Sequence, residues 1–207
     1  MTELYTRYPA LLGCKKDIET ASALLLECAQ NGGKILLCGN GGSCADADHI
    51  AGELLKSFVL RREPTEEEKE KLRAACPENA EFLIENLQRG IPAVSLPSLC
   101  AVNTAYINDA EPSMVYGQLV YALGRPGDVV LGLSTSGNSK NVVYAMQVAK
   151  VMGLKTIALT GAKESKLSSL CTCTVKVPET ETYKVQELHL PVYHHLCLEL
   201  EETLFGE

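Results

Sequence analysis

The residues best suited to chemistry fall in a few short windows. His49 and Glu53 stand four apart, so on a helix both project from one face. The other three histidines, His189, His194 and His195, lie close together near the far end of the chain. Gln186 and His194 are eight residues apart, a little over two helical turns, which sets them within about a quarter turn of each other. Two helices, each offering two such side chains, can meet around one metal ion. His, Glu, Gln and His make an N and O donor set that suits zinc and does not exclude nickel, cobalt, manganese or iron. A lone His-x-x-x-Glu is more often a surface helix pair. His189 and His195 receive no role: each fits a supporting partner, a subunit contact or a surface imidazole.

Two polar loops offer a second kind of chemistry. Gly39-Asn40-Gly41-Gly42-Ser43 follows the apolar run Lys34–Cys38 and opens a helix. It is not a GxGxxG fingerprint, and no Walker lysine follows it, so dinucleotide and triphosphate readings are weak. Small residues at a helix start still let backbone N–H groups approach an anion. The plain alternative is a tight strand-to-helix turn. The second loop, Ser134-Thr135-Ser136-Gly137-Asn138-Ser139, gathers four hydroxyls and an amide around one glycine. A single serine would satisfy an N-cap, so this loop points to a bound phosphate monoester.

The elements that must position these groups follow from hydrophobic pattern. A helical stripe over 10–30 ends at Asn31-Gly32-Gly33, followed by a strand at 34–38 and a helix from about Cys44 to Phe58. Residues 59–90 are charge-rich and read as a solvated helical hairpin inserted between two strands. A short strand at 91–95 is weakened by Pro92, and a helix near 113–124 leads to the turn Gly124–Asp128. Strands at 129–133, 156–159 and 173–177 follow, with a helix to about Met152 and a last helix over 183–203. Pro191 should kink that last helix or mark a later start. Strands that are apolar without alternation, separated by helices, imply a five-stranded, doubly wound parallel sheet covered on both faces. Both polar loops then fall at strand carboxyl ends, on one rim.

Bulk properties narrow the function. The chain has 207 residues, 46% apolar and 22% charged, with a net charge of −7, as expected for a single soluble domain over 1–207. The absence of a basic tract argues against nucleic acid as a partner, and the absence of a long apolar run argues against a membrane. Met1–Tyr5 lacks the basic start of a signal peptide. Nine cysteines in mostly apolar or helical settings read as reduced thiols of a cytoplasmic protein, and Cys171/Cys173 lack the second pair of a zinc site.

Taken together, Gly39–Ser43, His49-x-x-x-Glu53, Ser134–Ser139 and Gln186-Glu-x-His followed by His194 resemble the sugar isomerase (SIS) domain family, in its phosphoheptose isomerase branch. The resemblance covers roughly 15–205 with a gap at 59–90. It implies a flavodoxin-like sheet and a homotetramer with active sites at subunit interfaces. It implies zinc on the positions matching His49, Glu53, Gln186 and His194. It implies sugar-phosphate contacts from Asn40, Gly41, Gly42, Ser43, Asn108, Asp109, Ser134, Thr135, Ser136, Ser139 and Gln186. By resemblance Glu53 is the base and His194 the acid of an aldose–ketose isomerisation through an enediol, from sedoheptulose 7-phosphate to D-glycero-D-manno-heptose 7-phosphate. Tyr183 and Lys184 replace the family's Asp and Arg just ahead of the glutamine. Two other functions stay open: isomerisation of another sugar phosphate, and non-catalytic sugar-phosphate binding by a regulator or adaptor. The assignment carries a conflict, because a carboxylate bound to zinc is a poor base and His194 faces the same problem as proton donor. Glu53 must loosen when substrate binds, or the metal mainly orders the pocket.

Overall fold

The structure, a computed structural model, describes residues 3–206. Helix α1 (Glu3–Arg7) and a 3-10 turn (Pro9–Cys14) lead into α2 (Lys15–Gln30), strand β1 (Ile35–Cys38) and α3 (Gly42–Leu55). Next come α4 (Glu66–Ala75), α5 (Ala80–Asn86), β2 (Ala93–Ser95), α6 (Cys100–Asp109) and α7 (Val115–Leu123). The chain ends with β3 (Val129–Leu133), α8 (Lys140–Val151), β4 (Lys155–Thr160), α9 (Lys166–Leu170), β5 (Cys173–Lys176) and α10 (Thr182–Phe205).

The five strands form one sheet in the order β2-β1-β3-β4-β5, every pair parallel. Parallel neighbours need crossovers, and the helices supply them on both faces. Two cores result. Ile35 and Leu37 of β1 face one core with α1, α2, α3 and α10, while Leu36 and Cys38 face the other with α7, α8 and α9. Burial on both faces is why β1 and β3 are apolar throughout rather than alternating. Pro92 just precedes the edge strand β2, where a missing N–H is tolerated, and its carbonyl accepts from Ile35 N at 2.9 Å.

Several expectations shift. The helix expected over 10–30 is a 3-10 turn followed by α2, and the one near 113–124 is a 3-10 turn at Pro112–Met114 followed by α7. Helix α6 went unread because none of its residues is buried, so it has no apolar stripe to detect. Pro191 does not mark a later start: α10 runs unbroken from Thr182 to Phe205 with Pro191 buried within it. Over 59–90 lie α4 and α5; α4 buries no side chain and starts on a capping box in which Thr65 and Glu68 satisfy each other's backbone N–H.

Candidate active site

The chain leaves β1 for β2 on one side and then crosses from β2 to β3 on the other side of β1, so the carboxyl ends of β1 and β3 flank the topological switch point. The loop at 39–43 leaves β1 there, and the loop at 134–139 leaves β3. Gly41 has φ +56°, a conformation that favours glycine, and α3 begins on it with no side-chain cap. Helix α8 likewise begins at Ser139 without a side-chain cap. The Ser139 hydroxyl instead meets that of Ser134 at 3.0 Å. The N-capping reading of that loop therefore does not hold for Ser139. Ser136 is exposed and its hydroxyl accepts from Asn138 N at 3.2 Å; Thr135 is half-buried, and its carbonyl accepts from Gly161 N.

The two loops are tied together by Asn40, an expected contact, and Asn141, which the sequence did not single out. Asn40 Nδ2 donates to Asn141 Oδ1 at 2.9 Å, and Asn141 Nδ2 donates back to Asn40 Oδ1 at 2.8 Å. The Tyr116 hydroxyl donates to the Gly39 carbonyl at 2.8 Å. Asn141 sits in the first turn of α8, two residues past Ser139, and that proximity was the only available signal. Asp48 accepts from the hydroxyls of Ser95 and Ser98, fastening α3 to the end of β2.

Helices α3 and α10 bring the donor residues together. His49 Nε2 lies 3.3 Å from Glu53 Oε1. The His49 and His194 rings stand edge to face with centroids 5.0 Å apart. Gln186 lies against the start of α3, where a Cβ on Gly42 would come within 2.6 Å of its Nε2; only glycine leaves room for that amide. His194 Nε2 is buried with no hydrogen-bond partner. Burial, then the neighbouring His49, lowers the His194 pKa against the opposing pull of Glu53, favouring the neutral imidazole that a metal requires.

These residues fit a metal ion by the chemistry of their donors, and one pair of them by its separation. Two donors bonded at about 2.0–2.1 Å to a tetrahedral ion stand about 3.3 Å apart, and His49 Nε2 and Glu53 Oε1 have that separation at 3.3 Å. Among the described residues no three His, Cys, Asp or Glu side chains form a ready-made cage. The fourth donor of the expected set, Gln186, is an amide.

Other expected residues lie apart from this cluster. Asn108 and Asp109 end α6 in the open, where Asn108 donates to Asp109 at 2.8 Å; neither hydrogen-bonds to the two loops. Ser43 is buried beside Gly39. His189 is fully buried, and His195 Nε2 pairs with Glu199 Oε1 at 3.1 Å.

The SIS domain model matches residues 13–69 and 89–161, more than half of the chain, and breaks within the α4–α5 segment. The chain belongs to the SIS domain family. A phosphoheptose isomerase of Aliarcobacter butzleri is 36% identical over 190 residues, covering 92% of this SIS domain chain and 87% of the relative. The phosphoheptose isomerase structure from Neisseria gonorrhoeae superposes with a TM-score of 0.70 at 31% identity, covering 94% of this chain and 96% of that one. That from Francisella tularensis gives 0.74 at 27% identity, covering 98% and 100%. Its five-stranded parallel sheet is therefore the SIS fold of these isomerases. Among the described residues no helix is long and apolar enough to cross a membrane.

Proposed function

We propose that this aldose–ketose isomerase converts sedoheptulose 7-phosphate to D-glycero-D-manno-heptose 7-phosphate through an enediol. The observation that carries the reading is that His49 lies against both Glu53 on α3 and His194 on α10, beside two hydroxyl- and amide-lined loops on one rim. The loop at 134–139, with Ser134, Thr135, Ser136 and Ser139, grips the phosphate, and its binding energy positions C1 and C2 of the sugar. Asn40, Gly41 and Gly42 line the opposite side, and Gln186 reaches the same space. Glu53 takes a proton from C1 while His194 gives one to the carbonyl oxygen at C2. Return of a proton to C2 and loss of the O1 proton complete the aldose.

His49, Glu53, Gln186 and His194 would hold a zinc ion, which would supply Lewis acidity toward the sugar oxygens. The conflict in Glu53 between ligand and base eases because its two oxygens face different partners. Oε1 meets His49, and Oε2 meets Lys56 Nζ at 3.3 Å. The Lys56 side chain is mostly exposed, so this pair is weak and readily displaced by a substrate, leaving one oxygen for the proton. Leu55, Val59, Leu190 and Leu198 expose apolar surface around the same helices, in keeping with a homotetramer whose subunits meet at the site. Nine free thiols are in keeping with a cytoplasmic setting.

A coupled assay with sedoheptulose 7-phosphate, with and without added zinc and beside a panel of other ketose phosphates, tests the reading. Turnover of the heptulose phosphate, lost in a folded Glu53→Gln protein, is expected. No turnover of any heptulose phosphate overturns the substrate, and a Glu53→Gln protein of undiminished rate overturns the base.

A further inference from the structure

His49 is held from behind as well as in front. Its Nδ1 lies 3.1 Å from the Tyr193 hydroxyl, which in turn donates to Asp46 Oδ1 at 3.1 Å. Asp46 stands one turn before His49 on α3, and Tyr193 directly precedes His194 on α10, so the relay spans both helices. A phenol has one proton, and an ionised carboxylate can only accept. With the Tyr193 proton committed to Asp46, its oxygen can only accept from His49, which places the ring proton on Nδ1. Nε2 faces Glu53 Oε1 at 3.3 Å, so the two ends of the ring compete for its proton: the bare carboxylate draws it to Nε2, the relay draws it to Nδ1, and a cation seated between Nε2 and Glu53 would leave the relay's tautomer in place. The opposite tautomer would set a lone pair of Nδ1 against the phenol oxygen.

The relay is rigid. Tyr193 is 1% exposed, and its ring packs edge to face on His49 and His194 with centroids 5.5 and 5.1 Å away. The Asp46 Oδ2 atom is buried without a partner, so among the described residues the bond from Tyr193 is the one that engages this carboxylate.

We infer that Tyr193 and Asp46 are positioning residues that hold His49 as its Nδ1–H tautomer and aim the Nε2 lone pair at the metal position. The inference rests on His49 being a ligand, as proposed above. Partners of this kind behind a ligating histidine fix its ring and raise its basicity.

Two variants separate the parts. Tyr193→Phe removes the hydroxyl and keeps the ring. Asp46→Asn lets the new amide donate to the phenol oxygen, which turns the phenol proton toward Nδ1 and drives the ring proton to Nε2. The imidazole 15N shifts of the metal-free Glu53→Ala protein at alkaline pH, with no carboxylate facing Nε2, report the tautomer that the relay imposes on His49. Chelator competition reports zinc affinity, and melting of the metal-free proteins reports the fold. The expected results are Nδ1–H in Glu53→Ala, Nε2–H when Asp46→Asn is added to it, and zinc bound about 10- to 100-fold more weakly than wild type by Tyr193→Phe and by Asp46→Asn, each made alone. An Nε2–H tautomer in a folded Glu53→Ala protein overturns the inference. So does zinc affinity within twofold of wild type in both single variants. A wild type that binds no zinc, with Nδ1–H in Glu53→Ala and the proton relocated by Asp46→Asn, supports the relay and removes the ligand reading instead.

Discussion

Glu201→Gln should destabilise the protein by about 3–5 kcal/mol, the cost of leaving a buried charge without its partner. The Arg62 and Glu201 side chains are 0% and 1% exposed, with Nε and Oε1 2.7 Å apart. The carboxylate also accepts the backbone N–H groups of Phe58, Val59 and Leu60 at 2.8, 2.8 and 3.1 Å. Burial alone would raise its pKa, but these donors and Arg62 hold it lowered. The guanidinium spends its other donors on the carbonyls of Leu54 at 2.8 Å and Glu53 at 3.0 Å, closing the end of α3, and the Phe205 ring covers it at 4.9 Å. Glutamine keeps an acceptor for part of the backbone but removes the charge. Domains hold together by about 5–15 kcal/mol, so the loss takes roughly a fifth or more of the total. Because Arg62 holds the carbonyl of Glu53 itself, activity should fall in the folded fraction as well. Arg62→Met should cost a similar amount, and the double variant should cost about 1–3 kcal/mol less than the sum, since no charge is then stranded. Urea unfolding at fixed protein and metal concentration measures all three. A Glu201→Gln cost below about 1 kcal/mol, or strictly additive losses, would refute the argument that this pair is a coupled clamp.

Other outcomes follow from single contacts. Gly42→Ala should fold with near-normal stability but lose most activity, because the new methyl displaces the Gln186 amide; wild-type zinc affinity and kcat in that variant would count against a role for Gln186. Ser139→Ala should raise KM for phosphorylated sugars more than it lowers kcat, read from initial rates, since it removes a hydroxyl from the phosphate loop without removing a helix cap. His189 makes no hydrogen bond of good geometry, and burial, only partly offset by the Thr160 backbone, lowers its pKa from 6.5 to about 4. The unfolded chain therefore binds that proton more readily. Stability should be full above pH 6.5 and decline as pH falls toward 4, by on the order of 3 kcal/mol. His189→Leu should flatten that acid limb in unfolding curves taken at several pH values.

Much of the architecture was legible in the chain because its causes are local. The continuous apolar runs at 34–38 and 129–133 announce strands buried on both faces, and the spacing of His49 with Glu53 and of Gln186 with His194 announces shared helical faces. Helix α6 was not legible, since an exposed helix leaves no hydrophobic period, and Pro191 does not mark a helix start because packing of the buried side of a long helix outweighs one lost backbone bond. Asn108 and Asp109 came only from resemblance, and within this chain they pair with each other rather than with the loops.

The sequence by itself determined which side chains were available and which helix each would ride on. Only the tertiary structure decided what they meet, because those contacts join residues more than a hundred positions apart. Asn40 reaches Asn141, His49 reaches Tyr193, and Glu201 gathers the backbone of 58–60, all through pairings that no local pattern encodes. The strand order β2-β1-β3 is the physical reason: it places the ends of β1 and β3 side by side, so that two distant loops and two distant helices share one rim.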